Sequence, residues 1–315
     1  MADRPFRRCV GELARTRKVP EIDSPRHTPT MMLISVEELA TGLDDPTLRL
    51  ADVRWYVGEP GRGRREYDEG HLPGAVFVDL DRDLAGPSGP GRHPLPDPVA
   101  FAARMGELGI GPDNFVVAYD DSLGTIAARL WWMLDNLGHQ RVALLDGGLK
   151  AWRAGGLPLS AERVTLPAAE PLAPARAWSG VIDRPALIER LGEVALLDAR
   201  APERYRGETE PVDPRPGHIP SAISAPARSL LGSDGRFLPP TELAAQLGSV
   251  APPERPVVVS CGSGVTACHT AFAFRLAGLP DPMLYPGSYS DWSRTDLPVA
   301  TGPEPGAPLE PTAEG

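Results

Sequence analysis

The chain has 315 residues, enough for two domains of ordinary size. Its hydrophobic content of 42% is that of a globular protein, and its formal net charge of -10 argues against a nucleic-acid partner. No apolar run approaches the roughly 20 residues that span a bilayer, so no membrane partner is expected. In chain order, residue patterns predict a helix over 35–41, a strand over 48–53, a helix over 98–108, a strand over 115–119 and a helix over 124–137. The second half repeats the theme with a helix over 183–191, a strand over 194–198, a helix over 240–247, a strand over 256–260 and a helix over 265–277. Such alternation gives α/β domains, each with a mainly parallel sheet flanked by helices.

The halves are related. LLDGGLKAW (144–152) matches LYPGSYSDW (284–292) at an offset of 140, which also pairs Gly124 with Gly264 and Gly138 with Gly278. LADVR (50–54) answers LLDAR (196–200), and GHLPGA (70–75) answers GHIPSA (217–222) at 217 − 70 = 147. A period this long means tandem domains. The expected organisation is an extension over 1–30, a first domain over 32–160, a linker rich in proline and alanine over 161–178, a second domain over 179–300 and a disordered tail over 301–315. Residues 1–30 lack a repeat partner. They read either as a disordered extension or as the product of a misplaced translation start, with Met31-Met32 just before the first element.

The segment VVVSCGSGVTACH (257–269) carries the chemistry. A strand leads into Cys261, a glycine-bearing loop follows, and a helix opens near Ala267. This places the thiol over backbone N–H groups at a helix N-terminus, which favour a thiolate and any anionic sulfur species it carries. Three cysteines (Cys9, Cys261 and Cys268) are too few for a disulfide framework and fit a reducing compartment, so a cytoplasmic location is expected. Cys261 and Cys268 lack CxxC spacing, no metal-ligand cluster appears, and no metal or cofactor is expected. Cys268 falls within the following helix and reads as core.

Together, the tandem α/β halves, DVR and DAR, GHLPGA and GHIPSA, and the loop CGSGVT resemble the rhodanese-type sulfurtransferases over about residues 32–300. The neutral Gly262 and Ser263 after the cysteine resemble the 3-mercaptopyruvate subfamily more than the thiosulfate one. The resemblance implies two tandem rhodanese-like domains and a Cys261 persulfide. Sulfur would come from 3-mercaptopyruvate and pass to a thiol, such as thioredoxin, or to cyanide. A thiosulfate sulfurtransferase with the same persulfide is the alternative. At the 140 offset Asp121 stands where Cys261 does, so the first domain should be catalytically silent.

Around the sulfur, Gly262, Gly264, Val265 and Thr266 are the expected cradle, the glycines permitting close backbone approach. Ser263 either hydrogen-bonds the reacting atoms or caps the helix, and Thr266 has the same two readings. A donor carboxylate calls for arginine. By resemblance Arg204, in Arg204-Tyr205-Arg206-Gly207, is the first candidate and Arg215, in PVDPR, the second. Arg54 and Arg200 should brace the fold. His71 and His218 occupy equivalent turns, which favours a structural role. The resemblance still leaves His71 as a possible partner of the loop serine. Cysteine phosphatases need an arginine six positions after the cysteine, and that position is Ala267.

Overall fold

The computed structural model describes residues 32–173 and 177–309. The expectations for residues 1–30, and for 310–315 of the tail, lie outside it. The first half runs β1 (Leu33–Ile34), α1 (Val36–Thr41), β2 (Leu48–Asp52), α2 (Arg62–Glu69), β3 (Val76–Phe77), α3 (Leu80–Asp83), α4 (Pro98–Glu107), β4 (Phe115–Tyr119), α5 (Ala127–Asn136), β5 (Val142–Leu145) and α6 (Gly148–Ala154). The second half runs α7 (Arg184–Arg190), β6 (Ala195–Asp198), α8 (Pro202–Tyr205), β7 (Ile223–Ser224), a 3-10 turn (Ala227–Leu230), α9 (Pro240–Val250), β8 (Val257–Ser260), α10 (Thr266–Leu276), β9 (Met283–Leu284) and α11 (Ser288–Trp292).

Local chemistry sets the element starts. Ser35 and Glu38 form a reciprocal capping box ahead of α1. Asp97 caps α4, with Pro98 supplying its first turn. Strands β4 and β8 are almost continuous apolar runs because both faces of a parallel sheet are covered.

Both sheets are wholly parallel, in the orders β1-β5-β4-β2-β3 and β7-β6-β8-β9. A single parallel bridge between Val181 and Leu284 stands where β1 would pair in the second sheet, so the two halves share one topology. Two apolar clusters fill the outer faces of the sheets, one around Trp152 and one around Trp292. A third runs through both halves. There α5 packs on α10, with Trp131 edge-on to Phe272 at 4.7 Å and Arg275 bridging to Asp135. Truncating either aromatic would cost roughly 3–5 kcal/mol, so this shared core is a strong weld between the halves.

Two features differ from the sequence expectation. Several elements have no readable period because they span two to five residues, among them β1, β3, β7, β9 and α11. Residues 301–309 are not a disordered tail. Gly302 N–H donates to Arg206 O at 2.9 Å, Ser221 N–H donates to Pro305 O at 2.7 Å, and His218 Nε2 lies 3.1 Å from Glu304 O. These backbone bonds pin a proline-rich segment that has no apolar period of its own.

Candidate active site

Strand β8 delivers Cys261 to the carboxyl end of the second sheet, where ligands bind in open α/β folds. Its side chain is buried. The loop carbonyls are tied to α11: Cys261 O accepts from Tyr289 N–H at 3.0 Å and Gly262 O from Ser290 N–H at 2.8 Å. Gly264 has φ +74°, and a methyl group there would lie 2.9 Å from Pro286 Cα, so only glycine serves. Among the described residues, the N–H groups of Gly262, Ser263, Gly264, Val265 and Thr266 donate to no protein acceptor. They are a set of donors suited to an anion on sulfur.

The matching loop of the first half is closed from within. Asp120 is fully buried, and its carboxylate accepts from the N–H groups of Ser122, Gly124, Ile126 and Ala127, each at 2.8 Å. At the 140 offset these are Gly262, Gly264, Thr266 and Ala267. Burial pushes the Asp120 carboxyl up from its usual value, while the four backbone donors pull against that. Asp121, at the place of Cys261, hydrogen-bonds Tyr56.

A segment of the first half reaches across to the second-half loop. From β3 to β7 the offset is 223 − 76 = 147, but from α4 to α9 it is 240 − 98 = 142, so the first half is five residues longer in between. They lie in the strap after α3 that carries Gly91, Arg92 and His93. Gly91 has φ +80° and sits against Gly287 and Ser290, where a Cβ would clash. Arg92 N–H donates to Ser290 Oγ at 2.9 Å. His93 Nδ1 then lies 2.8 Å from Ser263 Oγ, and its Nε2 lies 3.2 Å from Asp81 Oδ1. Trp55 Nε1–H donates to the other Asp81 oxygen at 2.8 Å, and its ring meets His93 edge-on at 5.1 Å. The His93 hydrogen bond, aided by Trp55, holds the Asp81 carboxyl below its usual value. This network assigns the imidazole proton to Nε2 and leaves Nδ1 to accept from the Ser263 hydroxyl.

The strap and the loop share one buried anchor. Arg129, on α5, donates to Gly264 O at 3.1 Å, to His93 O at 3.1 Å and to Leu84 O at 3.4 Å.

On the other side of the loop stands a charged cluster. Arg204 donates to Glu210 at 2.7 Å and 3.2 Å and to Asp213 at 3.1 Å. Asp213 also pairs with Arg92. Arg200 is fully engaged by Asp198, Glu210 and Gly217 O over the face of Tyr289, and Arg54 is held through Nε and Nη2 by Asp52 and Gly70 O. Both arginines brace their halves.

Two candidates from the sequence are placed elsewhere. Arg215 gives its guanidinium to three carbonyls, Ser293 O at 2.9 Å, Leu297 O at 2.9 Å and Trp292 O at 3.2 Å. It closes the end of α11, because its fork matches those exposed carbonyls, and it makes no contact with the loop. His71 is buried, stacks on Tyr67 at 3.9 Å and places Nδ1 2.8 Å from Tyr67 O. His218 repeats this on Tyr205 at 3.8 Å. Each histidine backbone also pairs with the strand leaving its domain, at Ser160 and Ala300. The histidine at Ser263 is His93, which sequence reasoning missed. Cys268 is buried on α10 with Sγ 3.4 Å from Gly264 O, and burial pushes its thiol up to about 12.

A parallel α/β pair with a cysteine cradle in one half and a filled cradle in the other defines a class. The chain belongs to the rhodanese-like domain family, whose model matches residues 35–155 and 184–295. A Pseudomonas aeruginosa protein named "Probable 3-mercaptopyruvate sulfurtransferase" is 48% identical over 280 residues, covering 86% of this chain and 98% of that protein. A Mycobacterium tuberculosis protein, SseB, named for thiosulfate sulfurtransferase activity, is 40% identical over 83% of this chain and 94% of its own length. The solved structure of SseA from Escherichia coli superposes with a TM-score of 0.73 at 34% identity, covering 83% of this chain and 100% of that one. Among the described residues no helix is long and apolar enough to cross a membrane.

Proposed function

We propose that the protein is a sulfurtransferase that takes sulfur from 3-mercaptopyruvate onto Cys261 and hands it to a thiol or to cyanide. The observation that carries this reading is the contrast between the two cradles: the second half offers its N–H donors to a sulfur, and the first gives the equivalent donors to Asp120. The similarity to the Pseudomonas protein supports the choice of donor.

In this reading the Cys261 thiolate attacks the donor sulfur. The bond from that sulfur to the donor's methylene carbon breaks, and its electron pair enters the enolate of pyruvate. A proton reaches that carbon to give pyruvate, and the sulfur remains as Cys261–S–SH. The one Ser263 hydroxyl proton is held by His93 Nδ1 in the resting site; with donor bound it would turn to the oxygen where enolate charge develops, His93 and Asp81 keeping the side chain in place. An acceptor thiol then attacks the outer sulfur and restores Cys261. Both steps balance without an external oxidant or reductant. Donor, acceptor and enzyme would meet in a reducing compartment such as the cytoplasm.

Side-by-side kinetics with 3-mercaptopyruvate and thiosulfate test the donor. A higher kcat/KM for 3-mercaptopyruvate is expected, and the reverse order would move the enzyme to the thiosulfate reading that the Mycobacterium relative favours. A mass increase of one sulfur atom on the Cys261 peptide, absent in Cys261→Ser, tests the persulfide.

A further inference from the structure

The first half carries a cleft that takes no part in the Cys261 site. Its volume is about 380 Å³, within the range of small-molecule sites, and its walls come from α2, β3, α3, α4 and the linker at 163–166. Val76, Phe77, Leu108 and Leu166 give it apolar surface. The linker wall is fixed in place. Ala169 N–H donates to Gly106 O at 2.9 Å, and Gly109 takes φ +77° with Leu166 so close that any side chain there would clash. Four arginines line the cleft (Arg64, Arg82, Arg104 and Arg163) against two carboxylates, Asp79 and Glu107. Asp79 is spent on capping α3, and Glu107 takes one edge of Arg104 at 2.7 Å. Two more carboxylates stand behind: Asp68 holds Arg64, and Asp83 takes Nε of both Arg82 and Arg104. Donors are left over. Among the described residues Arg64 keeps Nη1 unbonded, Arg104 keeps Nη2, Arg82 keeps both terminal nitrogens and Arg163 keeps its whole guanidinium. Arg64 lies over the rings of Tyr67 and Phe77, at 5.1 Å and 5.6 Å, which holds its guanidinium at the wall.

We propose that this cleft binds a small organic polyanion, its charged groups on the arginine edges and its body against the apolar wall. A guanidinium fork takes two oxygens of one phosphate or carboxylate, so free edges on four separate arginines suit an anion with more than one charged oxygen pair. The four arginines and the four carboxylates around them balance, whereas the chain as a whole carries -10. An anion therefore meets no net repulsion from the groups nearest this cleft. An organic phosphate and a polycarboxylate share the required chemistry. Neither the Cys261 chemistry nor the choice of sulfur donor enters into this site, whose walls come from the first half and the linker alone.

Titration calorimetry of the full chain at low ionic strength tests the site with adenosine monophosphate, citrate, inorganic phosphate and adenosine. Adenosine monophosphate or citrate should bind at one per chain, and the tighter of the two names the class. Adenosine, a body without charge, should not bind, and inorganic phosphate, a charge without a body, should bind more weakly than either. Arg82 and Arg163 are the least paired of the four arginines and both are exposed, so Arg82→Ala and Arg163→Ala should fold. Each should weaken binding about 10-fold, the scale of one charged hydrogen bond, and Arg163→Glu should weaken it further. Arg153→Ala removes an equal charge from exposed surface on α6 and should leave binding unchanged. Failure of both organic anions to bind, or binding that is unchanged in the Arg82 and Arg163 variants, overturns the site. Binding that competes with 3-mercaptopyruvate would place the anion at the Cys261 loop and overturn it as well. Inorganic phosphate binding as tightly as the organic anions would leave the apolar wall without a role and overturn the assignment of an organic ligand.

Discussion

His93 Nδ1 stands 2.8 Å from Ser263 Oγ, although 170 residues separate them in the chain. The contact joins the first half to the Cys261 loop, and Asp81, also of the first half, holds the far side of the imidazole. The first half, with Asp121 at the place of Cys261, thus contributes to the loop of the second. It supplies the histidine and the carboxylate that hold Ser263.

His93→Ala and Ser263→Ala should each lower kcat with 3-mercaptopyruvate by about 100-fold or more, the usual scale for a positioned acid–base group. Because the two side chains act through one hydrogen bond, the double variant should lose little beyond the worse single. Steady-state rates of the three variants check this. Losses that multiply would show that the two residues act independently.

Asp121→Cys, made in a Cys261→Ser background, should acquire no persulfide from 3-mercaptopyruvate. A thiol would stand in the right position, but the backbone donors there are already bonded to Asp120. Mass spectrometry of the 121 peptide reads the outcome. An added sulfur at that position would mean that a filled cradle is no barrier.

The fold and the loop cysteine were plain in the sequence for physical reasons. Val257–Ser260 and Phe115–Tyr119 are apolar strands rich in β-branched residues, and the 140 offset matches the two loops that follow them. Asp120 was visible but unread, since nothing local says that a carboxylate folds back onto four N–H groups. His93 and Arg92 were harder still. They sit in a Gly/Pro loop with no period and no counterpart in the second half, and their partners lie in the other half. The one available signal was the change of offset between the GH motifs and the loops. The first half is five residues longer there, and that stretch carries a histidine and an arginine. His71 and Arg215 drew attention because they sit in recognisable motifs, but those motifs do structural work: one stacks on Tyr67 and the other closes α11.

Arg129→Met should be costly. Arg129 is fully buried on α5, and no carboxylate pairs with it among the described residues. Its removal strands the carbonyls of Gly264, His93 and Leu84, and each buried acceptor left unpaired costs about 1–3 kcal/mol. A fall in stability of about 3 kcal/mol is expected by denaturant unfolding. The fall in kcat should exceed what unfolded protein explains, because the cradle and the strap lose their common anchor. Arg129→Lys should rescue little, since one ammonium cannot span three carbonyls.

His269 gives the pH dependence. It is fully buried on α10, stacked on Phe237 at 4.6 Å, and neither ring nitrogen has a partner among the described residues. Burial pushes its imidazole down to about 4. A histidine kept neutral in the folded state lends stability that is complete above about pH 6.5, its unfolded value, and is lost as pH falls towards 4. Between pH 7 and pH 5 this one group should cost about 2 kcal/mol, since the unfolded chain takes up a proton that the folded chain refuses. His269→Phe keeps an aromatic ring against Phe237 and removes the proton site. Its stability, measured by denaturant unfolding at pH 7 and pH 5, should fall by about 2 kcal/mol less than that of the wild type over the same interval. Equal falls would mean that His269 takes up its proton inside the folded protein, as only a partnered or hydrated imidazole could.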